Sequence, residues 1–171
     1  MRWNIISLYI TIPLLAAIAL IQSTALPYVV ILGVKPELML MVIVSWSLLR
    51  GAEEGMVWAL IGGVGLDLLS GAPFGTMTVA LLVASFLSGL GESTVFRTHI
   101  ILPLVTVLVA SVVYDLVILV VLALAGRPVA WLDSVVHVVL PSALVNTLLM
   151  PLAFWPLQWL HRRTGPEEIH W

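Results

Sequence analysis

The chain has 171 residues, of which 61% are hydrophobic and 9% charged, with a formal charge of −2 and no cysteine. A soluble domain carries about 25% charged residues. A surface this poor in charge excludes a soluble globular protein and points to an integral membrane protein, as does the mean hydropathy of +1.16. The absence of cysteine excludes disulfides and thiolate metal sites, and no basic run offers a nucleic-acid footprint.

Six apolar runs follow in chain order. The first, near Ile5 to Leu26, contains Pro13 and reads as an uncleaved span, because more spans follow and the small residues Ala17 and Ala19 fit a signal-peptidase site only loosely. The second runs near Pro36 to Leu49, the third near Met56 to Ser70, and the fourth near Phe74 to Gly91. The fifth is Ile100 to Ala125, and the sixth is near Val135 to Leu160, with Pro141, Pro151 and Pro156. The fold class expected is an all-α integral membrane protein with six transmembrane helices in one bundle, residues 1–160, and a short polar tail, residues 161–171. No loop is long enough to hold a soluble domain. The second and third runs reach only ~21–22 Å at 1.5 Å per residue, short of a hydrocarbon core of ~30 Å. Interrupted or short spans can mark a binding site, and local thinning of the bilayer is the plainer alternative.

Lys and Arg set the orientation expected. Arg2, Arg50, Arg97, Arg162 and Arg163 fall on one side, and Lys35 and Arg127 on the other. Both termini are therefore expected in the cytoplasm. Trp46 and Trp58 flank the first inner turn, Trp155 and Trp159 close the last span, and Trp131 precedes it, all positions that suit interfacial tryptophans.

A charge within a span is costly, so Asp67 and Asp115 stand out. Both fall in the outer half of their spans. Asn146 lies about half-way along the sixth, and Ser111 is one turn before Asp115, so a polar stripe can face the bundle. Asp67 is followed by Ser70, Gly71, Pro73 and Gly75, a tight turn whose backbone must be satisfied inside protein or in a wet cavity. Asp67 is expected to organise that turn, accepting from Ser70 or from freed backbone N–H groups, with Pro73 rigid and Gly71 and Gly75 free to take positive φ. His137, near the outer start of the sixth span, reads as a hydrogen-bonded interface residue; no second His or Cys stands at ligand spacing. Gly51 and Gly55 read as turn residues, whereas Gly62, Gly63 and Gly65 read as a seat for a neighbouring helix.

Catalytic motifs are lacking. Tyr114-Asp115 resembles the Tyr-Asp element of presenilin-type intramembrane proteases, but Gly63-Val64-Gly65-Leu66-Asp67 misses their Gly-x-Gly-Asp element by one residue, and the order is reversed. Neither a Gly-x-Ser-x-Gly elbow nor a phosphate-binding Gly-rich loop is present.

Several stretches, taken in order, resemble the rod shape-determining protein MreD family. They are Gln22-Ser23-Thr24-Ala25-Leu26-Pro27, Gly33-Val34-Lys35-Pro36-Glu37-Leu38, Leu48-Leu49-Arg50-Gly51, Gly65-Leu66-Asp67-Leu68-Leu69-Ser70-Gly71-Ala72-Pro73-Phe74-Gly75, and Asn146-Thr147-Leu148-Leu149-Met150-Pro151. Glu37 stands where many relatives have Asp, and the tail is less basic than theirs. The resemblance implies a role in cell elongation at the bacterial inner membrane. It also implies a bundle similar to the substrate-binding component of energy-coupling-factor transporters, with neither enzymatic activity nor cofactor. The partners it implies are MreC and, through MreC, a RodA-type glycosyltransferase and a class B penicillin-binding transpeptidase. The MreB cytoskeleton and membrane lipid complete the set. The alternative function is a small-molecule-binding subunit of such a transporter, with Asp67, Asp115 and His137 lining its pocket.

Overall fold

The computed structural model describes residues 5–90 and 101–164, with side chains for 11–90 and 103–160. The helices are α1 (Ile5–Thr24), α2 (Leu38–Arg50), α3 (Ala52–Leu69), α4 (Thr76–Leu90), α5 (Ile101–Leu124), and a last rod. That rod starts as α6 (Trp131–Ser134), passes through a π turn at Val135–Val139, and continues as α7 (Leu140–Thr164). Each of the six apolar runs forms helix. Arg2, Arg97 and the tail beyond Thr164 lie outside the described residues, and His161–Thr164, expected in the tail, extend α7.

Three stretches are long and apolar enough to cross a membrane: Thr11–Tyr28, Pro103–Leu124 and Trp131–Leu160. The protein is a membrane protein on that ground. α2 and α4 are shorter apolar helices, ~20 and ~22 Å long.

α2 and α3 are separated by Gly51 alone, at φ +89°. The expected five-residue turn is therefore one hinge residue, because Glu53 and Glu54 belong to the first turn of α3, where carboxylates complement the helix dipole. Gly55 is consequently not a turn residue. It lies inside α3 against Ser47 and Ser85, with no room for a Cβ, and the Ser47 and Ser85 hydroxyls meet at 2.9 Å. Gly89 of α4 packs as closely on the backbone of Ala52. Farther along, a Cβ on Gly63 would come within 2.5 Å of Thr78 Cα, whereas one on Gly65 would make an ordinary 3.6 Å contact with Ala19. Gly55, Gly63 and Gly89 thus bring α3 close against α4, whereas Gly62 seats Met39 and Ile43 of α2 and Gly65 faces α1 at an ordinary distance.

Trp46 and Trp58 do not face the interface. They are buried and stacked, ring centroids 4.2 Å apart and 15° from parallel. Arg50 lies over the Trp46 ring at 5.1 Å and pairs with Glu54 at 3.6 Å. The pair can stack because the Gly51 hinge returns α3 directly alongside α2. Trp131, Trp155 and Trp159 are exposed, as interfacial residues would be.

Candidate functional site

Two short helices that begin within the bundle pose one problem twice. The first N–H groups of a helix have no partner in the helix itself, and hydrocarbon offers none. Side chains of other helices supply the acceptors.

At α4 the acceptor is Asp67. Thr76 N–H donates to the Pro73 carbonyl at 3.2 Å, and the Thr76 hydroxyl to the same oxygen at 2.6 Å. Asp67 takes the next two groups. Its Oδ1 accepts from Met77 N–H at 2.9 Å, and its Oδ2 from Thr78 N–H at 3.1 Å and the Thr78 hydroxyl at 2.6 Å. Val79 N–H then closes the first helical bond to Gly75. Asp67 is buried and acts as a cap supplied from the neighbouring helix, with the charge sign the helix N-terminus favours.

The turn itself differs in detail from expectation. The Ser70 hydroxyl meets the Asp67 backbone carbonyl at 3.4 Å, not the carboxylate. Gly75 takes positive φ, +95°, but Gly71 does not. Gly71 has open space around it, and its carbonyl accepts from Arg127 Nη2 at 3.4 Å, joining this turn to the α5–α6 connection.

At α2 the acceptors are two amides. Asn146 Oδ1, from α7, accepts from Glu37 N–H at 3.0 Å. Gln22 Oε1, from α1, accepts from Met39 N–H at 2.7 Å. Asn146 is fully buried, and its Nδ2 donates to the hydroxyls of Ser111 at 3.2 Å and Ser142 at 3.5 Å. Ser142 in turn hydrogen-bonds Asp115. The Glu37 carboxyl lies close enough to that of Asp115 for the two to interact across this cluster. Each carries a buried oxygen, Glu37 Oε2 and Asp115 Oδ2, without a hydrogen-bond partner among the described residues.

The residues singled out in the sequence therefore divide. Asp67, Ser70, Gly71, Pro73 and Gly75 form the α4 cap and its turn. Asp115 and Asn146 belong to the α2 cluster. Tyr114 stands between the two, its hydroxyl 3.2 Å from Met77 Sδ. His137 joins neither: it is exposed in the π turn, with Nδ1 2.9 Å from the Asp133 carboxylate and 3.2 Å from the Asp133 carbonyl. It is removed from any pocket built on Asp67 and Asp115, because the π turn presents it outward. Sequence reasoning does not reach Gln22 as a cap of α2, Thr78 as a double donor to Asp67, or Ser142 as a partner of Asn146. A lone amide at the end of an apolar span and a Thr at the third position of a short helix are the signals that could have found the first two.

No group of three or more His, Cys, Asp or Glu among the described residues is placed to hold a metal ion. The polar groups of the bundle are instead directed at helix ends and at one another. The family model described as rod shape-determining protein MreD matches residues 3–162, and the chain belongs to that family. No curated protein and no solved structure matches it.

Proposed function

We propose that this member of the MreD family is a non-enzymatic scaffold of the cell-elongation machinery, seated in the bacterial inner membrane as a six-span bundle with both termini cytoplasmic. It binds MreC and thereby organises peptidoglycan synthesis by the RodA-type glycosyltransferase and the transpeptidase, in register with MreB. Family membership carries the reading, and with it a role in determining rod shape.

The distribution of polar groups supports it. Asp67, Gln22 and Asn146 are engaged in capping α2 and α4, and the outward faces are apolar. Leu144, Leu148, Leu152, Trp155 and Trp159 are exposed along α7 at the spacing of one helix face. Val105, Val109, Leu116 and Val120 do the same on α5. Contacts between helices in a membrane rest on shape and a few hydrogen bonds, since apolar burial gains little from lipid. A flat apolar stripe is what a single-span partner can pack against.

The test is a scan of bulky and small substitutions along these two faces, with MreC capture and membrane insertion measured for each variant. Loss of capture confined to one face, with insertion intact, is the expected result. If every inserted variant still captures MreC, the scaffold reading fails. The topology is checked separately. Cysteines placed at Lys35 and Arg127 should react with an impermeant thiol reagent in intact cells, against a chain with no native cysteine.

A further inference from the structure

The connection between α1 and α2 is apolar and exposed. Tyr28, Val29, Val30, Ile31 and Leu32 are all exposed, Tyr28 at 88% and Leu32 at 68%. The segment closes as a two-residue hairpin, with Ile31 N–H donating to the Val34 carbonyl at 2.9 Å and Val34 N–H to the Ile31 carbonyl at 3.1 Å. Leu32 and Gly33 both have positive φ, +53° and +82°. Such a turn favours Asn, Asp or Gly at its first position. Leu32 is the one non-glycine residue with positive φ among the described residues. A branched apolar side chain at a strained turn tip is poorly suited to water.

Helix lengths give the depth of this end of the bundle. Gly89 at the end of α4 is level with Ala52 at the start of α3, and Gly55 is level with Ser47 and Ser85. The charged Arg50–Glu54 pair marks this level as the polar boundary. From there α2 and α4 extend only ~20 and ~22 Å into a hydrocarbon core of ~30 Å. The far ends of α2 and α4 therefore stop short of the opposite headgroups. Their N–H groups receive side-chain acceptors, Asp67, Gln22 and Asn146, as they must in hydrocarbon. The hairpin meets part of the same demand internally: Tyr28 and Val29 N–H groups bond to the Ala25 and Leu26 carbonyls, and Ile31 and Val34 bond to each other.

We propose that the Tyr28–Val34 hairpin is a membrane anchor whose tip, led by Leu32, inserts among the lipid acyl chains near the headgroup boundary. Lipid rather than a protein partner is the occupant because the exposed apolar residues at this end are spread over three connections. Phe74 extends from the α3–α4 turn, and Leu124, Trp131 and Leu132 flank the α5–α6 connection. A surrounding solvent covers such a rim, whereas a partner covers one patch. The rim also continues the lipid-facing sides of the helices through Leu20, Ile21, Leu68 and Leu69. Exposed Lys35, next to the hairpin, is placed to reach lipid headgroups by extending its stem.

The experiment uses the full chain with a single introduced cysteine, Leu32→Cys, Val30→Cys or Lys35→Cys, each labelled with bimane. The labelled proteins are reconstituted into phosphatidylethanolamine–phosphatidylglycerol vesicles containing brominated phosphatidylcholine. Bimane at positions 30 and 32 should be quenched several-fold more than at position 35. The unlabelled cysteines at 30 and 32 should react several-fold more slowly with an impermeant maleimide than the one at 35. Equal quenching at all three positions, or free reaction of the 30 and 32 cysteines, overturns the proposal. So does protection that appears only with added protein partner or with rising protein concentration, which would assign the tip to a protein contact.

Discussion

Asp67 on α3 and Thr78 on α4 form a close double contact across the bundle: one carboxylate oxygen accepts both the backbone N–H and the hydroxyl of the same threonine, at 3.1 and 2.6 Å. The other oxygen holds Met77 N–H. Both carboxylate oxygens are therefore engaged, and the start of α4 depends on them.

Asp67→Asn should not be a mild change. The amide keeps one acceptor and turns an NH2 toward an N–H donor, so a loss of about 1–2 kcal/mol is expected. Asp67→Leu removes both acceptors and leaves the Met77 and Thr78 donors buried, at about 1–3 kcal/mol each. Thr78→Val, which loses only the hydroxyl, should cost about 1 kcal/mol. Melting of the purified variants in detergent should show the least damage for Thr78→Val, more for Asp67→Asn and the most for Asp67→Leu. An unshifted melt for Asp67→Leu would remove the capping role.

Asp115→Asn should act in the opposite direction. Asp115 and Glu37 are both buried in this cluster, and each has an orphan oxygen. Asparagine retains an acceptor for Ser142 and adds an NH2 donor to a cluster with two unpartnered carboxyl oxygens. The variant should melt at or above the parent, by up to about 1 kcal/mol. A clear destabilisation would show that the carboxyl itself is required.

Gly63→Ala and Gly65→Ala separate packing from sequence pattern. The first pushes a methyl into Thr78 Cα, a backbone atom that the Asp67 bonds hold in place. It should cost about 1–3 kcal/mol as an overpacked core. The second meets Ala19 Cβ at a normal distance and should fold like the parent. Equal melts for the two would mean that α4 can yield.

Trp58→Ala and Trp155→Ala separate the two kinds of tryptophan. Trp58 is buried against Trp46, and its truncation should cost about 3–5 kcal/mol. Trp155 is 77% exposed, so its truncation should leave the detergent melt nearly unchanged. Loss of folded protein for Trp155→Ala in detergent would contradict its placement on the outer face.

Hydropathy by itself determined the helices, because a backbone in hydrocarbon has almost no alternative to satisfying its own hydrogen bonds. The six apolar runs mark the six rods, and the Ser70–Gly75 turn is legible from its Gly and Pro. Asp67 and Asp115 are equally visible as costly charges. Their roles are not, since both are carboxylates in apolar sequence. Only tertiary structure decided that Asp67 meets the open start of α4, three matched donors in all, while Asp115 meets Ser142 and the carboxyl of Glu37. The same limit applies to Gly55 and to Trp46 and Trp58. A sequence window sees them beside a turn, but the single-residue hinge at Gly51 folds α3 back on α2 and buries them. His137 groups with the aspartates in the sequence because the orientation expected from Lys and Arg puts it on their side. The structure puts it exposed in the π turn, paired with Asp133. Propensity and hydropathy act over neighbours in the chain, whereas caps, stacks and close glycine contacts are made by residues well apart in sequence, and only the assembled bundle brings those together.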